Sequence, residues 1–282
     1  MANVAFLGTG LLGSAMVEGL LRRGNSVTVW NRTTSKARAL ERAGATVAPS
    51  AADAVAGAHY VQMTLPDDDV VESMLGEIRP RLAKDAIVID HSTTSPTGAA
   101  ARVESLNDDG VRFLHAPVFM SPQMARESIG LILVSGPKAV FDPVRAHLEA
   151  MTGEVWYVGE RGDLAAAYKL FGNSMLFAIA AGIADVLAMA KALDVPPLDA
   201  MSVFSKFQVG GALKARGEKM ARGDFSASFE LTMARKDVRL MIEAAASQPL
   251  MVLPHIAKRM DAAIAKGRGS EDMGVIAEEV VR

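Results

Sequence analysis

The chain has 282 residues, half of them hydrophobic and 22% charged, with a formal net charge of −2. That length exceeds the usual size of one domain and supplies ample apolar side chains for packed cores. A near-neutral chain without a block of like charges gives no electrostatic footprint for nucleic acid or a polybasic membrane patch, and the lack of cysteine excludes disulfides, thiolate metal sites and a cysteine nucleophile.

In chain order, Val4–Gly8 reads as a strand and Leu11–Arg23 as a helix stopped by Gly24. Ser26–Asn31 is a second strand, Ser35–Ala43 is helical up to Gly44, and His59–Leu65 is a third strand before a helix that begins at Asp68–Leu75. Ala86–Ser92, Arg112–Val118, Leu131–Ser135 and Glu154–Val158 read as further strands. Strands alternating with helices at this spacing predict a parallel sheet with crossover helices. Near-continuous apolar strands predict cover on both faces.

After Gly162 the strand signal stops. Leu164–Leu193 is apolar at helical spacing and would span about 45 Å at 1.5 Å per residue. It is apolar on more than one face, which predicts burial, for instance between subunits. Asp163, Lys169, Asn173, Asp185 and Lys191 interrupt it, so a soluble helix is expected rather than a membrane span. The apolar stretch Met1–Leu21 lacks a basic start and carries Gly8, Gly10 and Gly13, unlike a signal peptide. Pro196–Pro197 breaks the pattern, and Leu198–Phe204, Gly211–Arg222, Phe229–Ala246 and Met251–Lys266 are helical. The expected fold is a doubly wound, mainly parallel α/β Rossmann domain over 1–161, then an all-α domain over 162–282 that opens with a long linking helix. A cytoplasmic location is the expectation.

Gly8-Thr9-Gly10-Leu11-Leu12-Gly13 follows the first strand and opens the first helix. This is the dinucleotide fingerprint in its required setting: a tight turn, a close approach to the pyrophosphate, and a close packing of helix on strand. The second strand runs into Asn31-Arg32-Thr33, where an NAD site places an acidic residue for the ribose. Arg32 there suits a 2′-phosphate, with Asn31 and Thr33 adding neutral hydrogen bonds. NADP(H) is therefore expected in preference to NAD, against the alternative of a solvated loop arginine. Leu65-Pro66 and Ser92-Thr93 end later strands, the edge where ligands of such sheets bind. As dipeptides alone they also read as ordinary turns.

Hydride chemistry needs a proton donor for the substrate oxygen. None of Tyr60, Tyr157 and Tyr168 has a lysine four residues on, and none of the five histidines stands in a motif. Lys169 and Asn173 lie at i and i+4 near the start of the long apolar stretch and share one helix face. Desolvation there would lower the lysine pKa toward a catalytic range; the competing reading is a solvated helical lysine. Asp67-Asp68-Asp69 reads as complementing a helix N-terminus, and no metal-binding constellation is seen.

Taken together, Gly8 through Gly13, Asn31-Arg32-Thr33, Leu65-Pro66, Asp90-His91-Ser92-Thr93, Ala116-Pro117-Val118, Gly162 through Asn173 and Lys236-Asp237 resemble the β-hydroxyacid dehydrogenase family, over essentially the whole chain. That group contains 3-hydroxyisobutyrate dehydrogenases and glyoxylate/succinic semialdehyde reductases. The resemblance implies that Lys169 is the catalytic lysine and that Asn173 orients substrate. It implies that Leu65, Pro66 and Thr93 contact the cofactor, and that Lys236 approaches the nicotinamide end. It also implies a homodimer or homotetramer built on the long helix.

One segment departs from the family pattern. Where the family reads Asp-Ala-Pro-Val-Ser-Gly-Gly, this chain reads His115-Ala116-Pro117-Val118-Phe119-Met120-Ser121. Ser92, Phe119, Met120, Ser121 and Asn173 are the expected substrate-facing residues. An apolar loop suits a larger or less charged substrate than a small 3-hydroxy acid, unless Phe119 and Met120 point into the core. Reversible hydride transfer between NADP(H) and a hydroxy acid or its semialdehyde is the leading expectation. An imine reductase on the same architecture is the alternative, although those enzymes typically carry another residue at the lysine position. A non-catalytic dinucleotide-binding module is a third.

Overall fold

The computed structural model describes residues 2–281, and the chain divides into two compact units, Met1–Asn173 and Ser174–Arg282. In the first unit, nine strands form one sheet: β1 (Asn3–Leu7), β2 (Ser26–Trp30), β3 (Thr46–Val47), β4 (Tyr60–Met63), β5 (Ile87–Asp90), β6 (Arg112–His115), β7 (Val118–Phe119), β8 (Gly130–Ser135) and β9 (Gly153–Gly159). The order is β3-β2-β1-β4-β5-β6-β8-β7, with β9 paired to β8. Strands β1 to β6 are mutually parallel, whereas β8 runs antiparallel to β6 and β7 and parallel to β9. The helices between them are α1 (Leu11–Arg22), α2 (Thr34–Arg38), α3 (Ala51–Val55), α4 (Asp68–Ile78), α5 (Pro96–Asp108), α6 (Pro122–Glu127), α7 (Lys138–Phe141) and α8 (Arg145–Thr152).

Strand alternation sorts the side chains onto two faces. Val4, Phe6, Val29, Ile89 and Leu114 join one buried cluster with Ala15, Met16 and Leu20 of α1 and Leu148 of α8. Ala5, Leu7, Val61, Met63, Val88 and Phe113 join the other with Val55, Val71, Leu75, Val103 and Leu106. After β3 the chain crosses to the far side of β1 to enter β4, so the strand order reverses between β1 and β4. Ligands of open α/β sheets bind beyond the carboxyl ends at such a reversal.

The sequence reading of this region lacked β3, a strand of two residues, and the helices α3, α5, α6, α7 and α8. Helix α5 starts at Ser95, whose hydroxyl accepts from Gly98 N–H, with Pro96 in the first turn. A proline read as a turn is therefore a helix start. Its inner face carries Arg102, 2% exposed, among Ala99, Val103 and Leu106, which breaks the apolar period. The expected helix Ser35–Ala43 is two short pieces, α2 and a 3-10 turn at Glu41–Ala43. Asp67 caps α4 by accepting from Val70 N–H at 2.9 Å.

From Leu164 the chain is helical: α9 (Leu164–Ala192), α10 (Pro197–Lys206), α11 (Gly210–Ala221), α12 (Leu231–Ala244), α13 (Leu253–Ala265) and α14 (Glu278–Val281). Phe225, Leu231, Val238, Ala257, Met260 and Val275 form the core of the second unit. Asp185 of α9 accepts from the N–H groups of Met251, Val252 and Leu253 at 2.5, 3.0 and 2.9 Å, capping the start of α13. The predicted burial of α9 does not hold within one chain: Leu176, Phe177 and Ile179 are 55%, 72% and 50% exposed. Hydrophobicity predicts that a face avoids water, but not which molecule covers it. By length and composition alone α9 could cross a membrane.

Candidate cofactor and active site

Chain reversal at β1 places the glycine-rich loop beside the end of β4. Gly8 has φ +91°, and a Cβ there would lie 2.3 Å from Thr64 O. A Cβ on Gly13 would lie 2.1 Å from Gly8 O and 2.5 Å from Thr64 Oγ1, so glycine alone lets α1 sit this close to the strand. Thr64 Oγ1 donates to Gly8 O at 2.8 Å and holds the turn. Gly10 is the N-cap of the twelve-residue α1, has no side-chain cap, and faces open space where a Cβ would stand. The Thr9 hydroxyl is buried without a hydrogen-bond partner. Uncapped N–H groups behind a bare glycine backbone are what a dinucleotide pyrophosphate requires, so these residues fit the cofactor that the fingerprint implies.

Gly8, Gly10, Asn31, Arg32, Thr33, Leu65 and Pro66 line one cleft, together with Trp30 and Lys36. Arg32 is exposed there, and neither it nor Lys36 has an ion-pair partner among the described residues. Asn31 holds the loop together: its Oδ1 accepts from Thr9 N–H at 2.9 Å and its Nδ2 donates to Thr33 O at 3.0 Å. Lys36 went unremarked in the sequence because a lysine one turn into a short helix has no motif to mark it.

A second cleft is lined by Leu12, Gly13, Thr64, Leu65, Pro66, Ser92 and Thr93. It shares Thr64, Leu65 and Pro66 with the first. Thr93 is exposed in it. Ser92, expected at the substrate, is only 2% exposed; its hydroxyl accepts from Leu65 N–H at 2.8 Å and ties the ends of β4 and β5 together. His91 also lines this cleft; it donates from Nδ1 to Ala116 O at 2.7 Å, and its Nε2 lies 3.2 Å from Gln62 Oε1. The Gln62 amide reaches His147 Nε2 at 2.7 Å. Burial pushes the pKa of both rings down to about 4.

The position that departs from the family pattern also has a partner. His115 is fully buried, and its Nδ1 lies 3.5 Å from Asp90 Oδ2 on the neighbouring strand. Burial raises the Asp90 pKa, but His115 and the Ser92 donors outweigh it, so the carboxyl lies below its ordinary value. A carboxylate at position 115 would set two like charges side by side in the core.

Lys169 is half-buried near the start of α9, and burial pushes its pKa below the ordinary lysine value. Its Nζ stands 4.2 Å from the centre of the Phe119 ring. Asn173, also half-buried, follows one turn later. Of the two bulky residues in the loop, Met120 packs against the core cluster of α1 and α8, while Phe119 turns to Lys169. Ser121, expected at the substrate, caps α6 by accepting from Met124 N–H at 3.2 Å. Lys236 stands on α12 in the second unit, its Nζ 2.9 Å from Asp237 Oδ1.

Residues 3–159 match the family described as the NAD binding domain of 6-phosphogluconate dehydrogenase. Residues 164–279 match the family described as NAD-binding of NADP-dependent 3-hydroxyisobutyrate dehydrogenase. The chain is similar to the 3-sulfolactaldehyde reductase of Escherichia coli, 30% identical over 288 residues that cover 99% of this chain and 96% of that protein. It is also similar to the cytokine-like nuclear factor N-PAC of Drosophila melanogaster, 28% identical over 245 residues, 85% of this chain but 40% of that protein. The chain thus spans well under half the length of N-PAC. A reductive aminase from Aspergillus terreus shares the fold, with a TM-score of 0.90 at 22% identity over 99% of each chain. The chain belongs to the β-hydroxyacid dehydrogenase family of NAD(P)-dependent oxidoreductases.

Proposed function

From that membership we propose that the chain is an NADPH-dependent reductase interconverting a hydroxy acid and its semialdehyde or oxo form. Its proton-transfer group is Lys169. The carrying observation is the Lys169 amine, half-buried against Phe119 with its pKa lowered by desolvation. An ordinary lysine is too weak an acid to serve well near neutrality; a desolvated one comes nearer the working range. The bound nicotinamide supplies the hydride. Lys169 Nζ gives its proton to the carbonyl oxygen in reduction and takes it from the hydroxyl in oxidation. Asn173, one turn further along the same helix face, orients that oxygen.

Arg32 and Lys36, in the cleft after β2 with no carboxylate at the strand end, support preference for a 2′-phosphorylated cofactor. Phe119, set beside the lysine, supports a substrate with a hydrocarbon portion there, and a 3-sulfolactaldehyde-type aldehyde belongs in the substrate panel because of the Escherichia coli relative. The same apolar neighbour favours, as a second reading, reduction of a cyclic imine. Association into homodimers through the exposed apolar side of α9 completes the proposal. A lipid setting for that helix fits poorly with Asp185, a carboxylate on it that caps α13.

The test is NADPH consumption with glyoxylate, succinic and methylmalonic semialdehydes, 3-sulfolactaldehyde, larger 3-oxo acids and cyclic imines. Turnover of an aldehyde acid is expected, and Lys169→Ala should lower kcat by about 10²–10⁴-fold, the usual range for a proton-transfer group. A near-normal rate in that variant removes Lys169 from the chemistry. Turnover confined to imines moves the assignment to the second reading.

A further inference from the structure

We propose that Phe119 is a positioning residue for Lys169, seated by the missing side chain of Gly172, and that this pair sets how much water reaches the ammonium and from which side it is approached. The consequence for catalysis rests on the proton-transfer role proposed for Lys169; the contact itself does not.

Three features fix the ring. Strand alternation sends Val118 into the core and Phe119 to the opposite face. The pairing of Phe119 with Leu131 on β8 fixes its backbone. Tight backing holds the hairpin: a Cβ on Gly130 would lie 2.9 Å from Met120 Cβ and 3.0 Å from Phe119 O. Across from β7, Lys169 and Gly172 are three residues apart on α9 and share a face. A Cβ on Gly172 would lie 2.4 Å from Phe119 Cζ and 2.7 Å from Cε1. The ring therefore rests in a notch that only glycine leaves open, with the Lys169 ammonium over its face at 4.2 Å, well inside the range of about 6 Å for a cation–π contact.

Two opposed effects follow. The π face attracts the cation, while the same ring excludes water and disfavours it. Burial pushes the Lys169 pKa below its ordinary value. Other ionisable groups nearby are engaged elsewhere. Asp163, at the start of the helix, is held by Arg161 at 2.9 and 2.6 Å. Tyr168 stacks on Trp156 of β9 at 5.2 Å, and Tyr157 donates to Gly136 O. Phe119 and its partner Leu131 bring no charge from the β7–β8 hairpin. With one side of the ammonium covered, a carbonyl oxygen reaches it from the side away from the ring.

The test measures the protonation of Lys169 directly, by competitive acetylation of the full chain with acetic anhydride from about pH 7 to about pH 11, read by peptide mass spectrometry. Phe119→Ala and Gly172→Ala should each raise the Lys169 midpoint by at least about half a unit, a roughly threefold fall in neutral amine at a fixed lower pH. Phe119→Tyr should keep it. An unmoved midpoint in both Phe119→Ala and Gly172→Ala overturns the inference. The basic limb of the kcat profile on the best substrate of the panel should move upward with the midpoint. If the midpoint moves and the kcat limb does not, the positioning inference stands and the proton-transfer reading of Lys169 falls.

Discussion

At the carboxyl edge of the sheet, the loops that form the cleft stand on strands whose side chains are fully buried, such as Phe6, Leu7, Val61 and Met63 at 0% exposure. Along α9 the apolar side chains themselves face outward, Phe171 and Phe177 at 64% and 72%. The first region is closed within one chain. Its glycines, Gly8 and Gly13, leave no room for a side chain against Thr64, and Thr64, Asn31 and Ser92 tie the loops together through backbone groups. The second carries a surface that water does not favour. Local contacts close the first region within one chain, whereas the apolar sequence of α9 specifies a face that avoids water without specifying what covers it.

The largest expected effect would break this comparison on the α9 side. Phe177→Glu should weaken self-association by at least about a hundredfold, because an unpaired charge buried in an interface costs several kcal/mol. Sedimentation equilibrium reads it. A wild-type chain that is monomeric at high concentration would show the face to be simply solvated. On the cleft side, Arg32→Ala should lower the NADPH over NADH ratio of kcat/KM by about 10- to 100-fold, from the loss of charge-assisted hydrogen bonds worth about 1.5–3 kcal/mol. An unchanged ratio would leave the cleft without its phosphate contact.

The smallest effect sharpens the comparison from inside the helical unit. Asp185→Asn should cost about 1–2 kcal/mol of stability, the range for losing a helix cap. Burial raises the Asp185 pKa, but the three N–H groups of α13 outweigh it, so its folded value lies below the ordinary 3.8. A lowered carboxylate contributes stability that is fully present above its unfolded pKa and is lost as pH falls through the folded one. The gap in urea midpoint between wild type and variant should therefore be constant above about pH 5 and close on acidification. A gap that does not shrink on acidification would show that the cap acts through shape rather than charge.

Much of the cleft was legible before the structure. Gly8, Gly10 and Gly13 report a backbone constraint, and the reason for each lies within one turn and the strand beside it. Leu65-Pro66 and Thr93 were legible from the rule that places ligands at strand ends. Lys169 stood out as a charge in an apolar stretch. Helix α5 stayed hidden because Arg102 occupies its inner face, where it bonds Thr94 Oγ1 at 2.8 Å and pairs with Asp68 and Glu72 at 2.8 and 3.1 Å. Periodicity cannot see a buried cation whose carboxylate partners lie about thirty residues away.

Sequence alone, then, determined the doubly wound, mainly parallel character of the first unit, the glycine cradle, the arginine that follows β2 and the helical character of everything after Gly162. Each is a local property of backbone freedom or side-chain period. Tertiary structure decided which side chains meet. It turned Phe119 toward Lys169 and Met120 toward the core, sent the hydroxyls of Ser92 and Ser121 to backbone N–H groups, and set His115 against Asp90. Those outcomes depend on strand register and on contacts between residues as far apart as Phe119 and Gly172. Neither leaves a repeat or a motif in the chain.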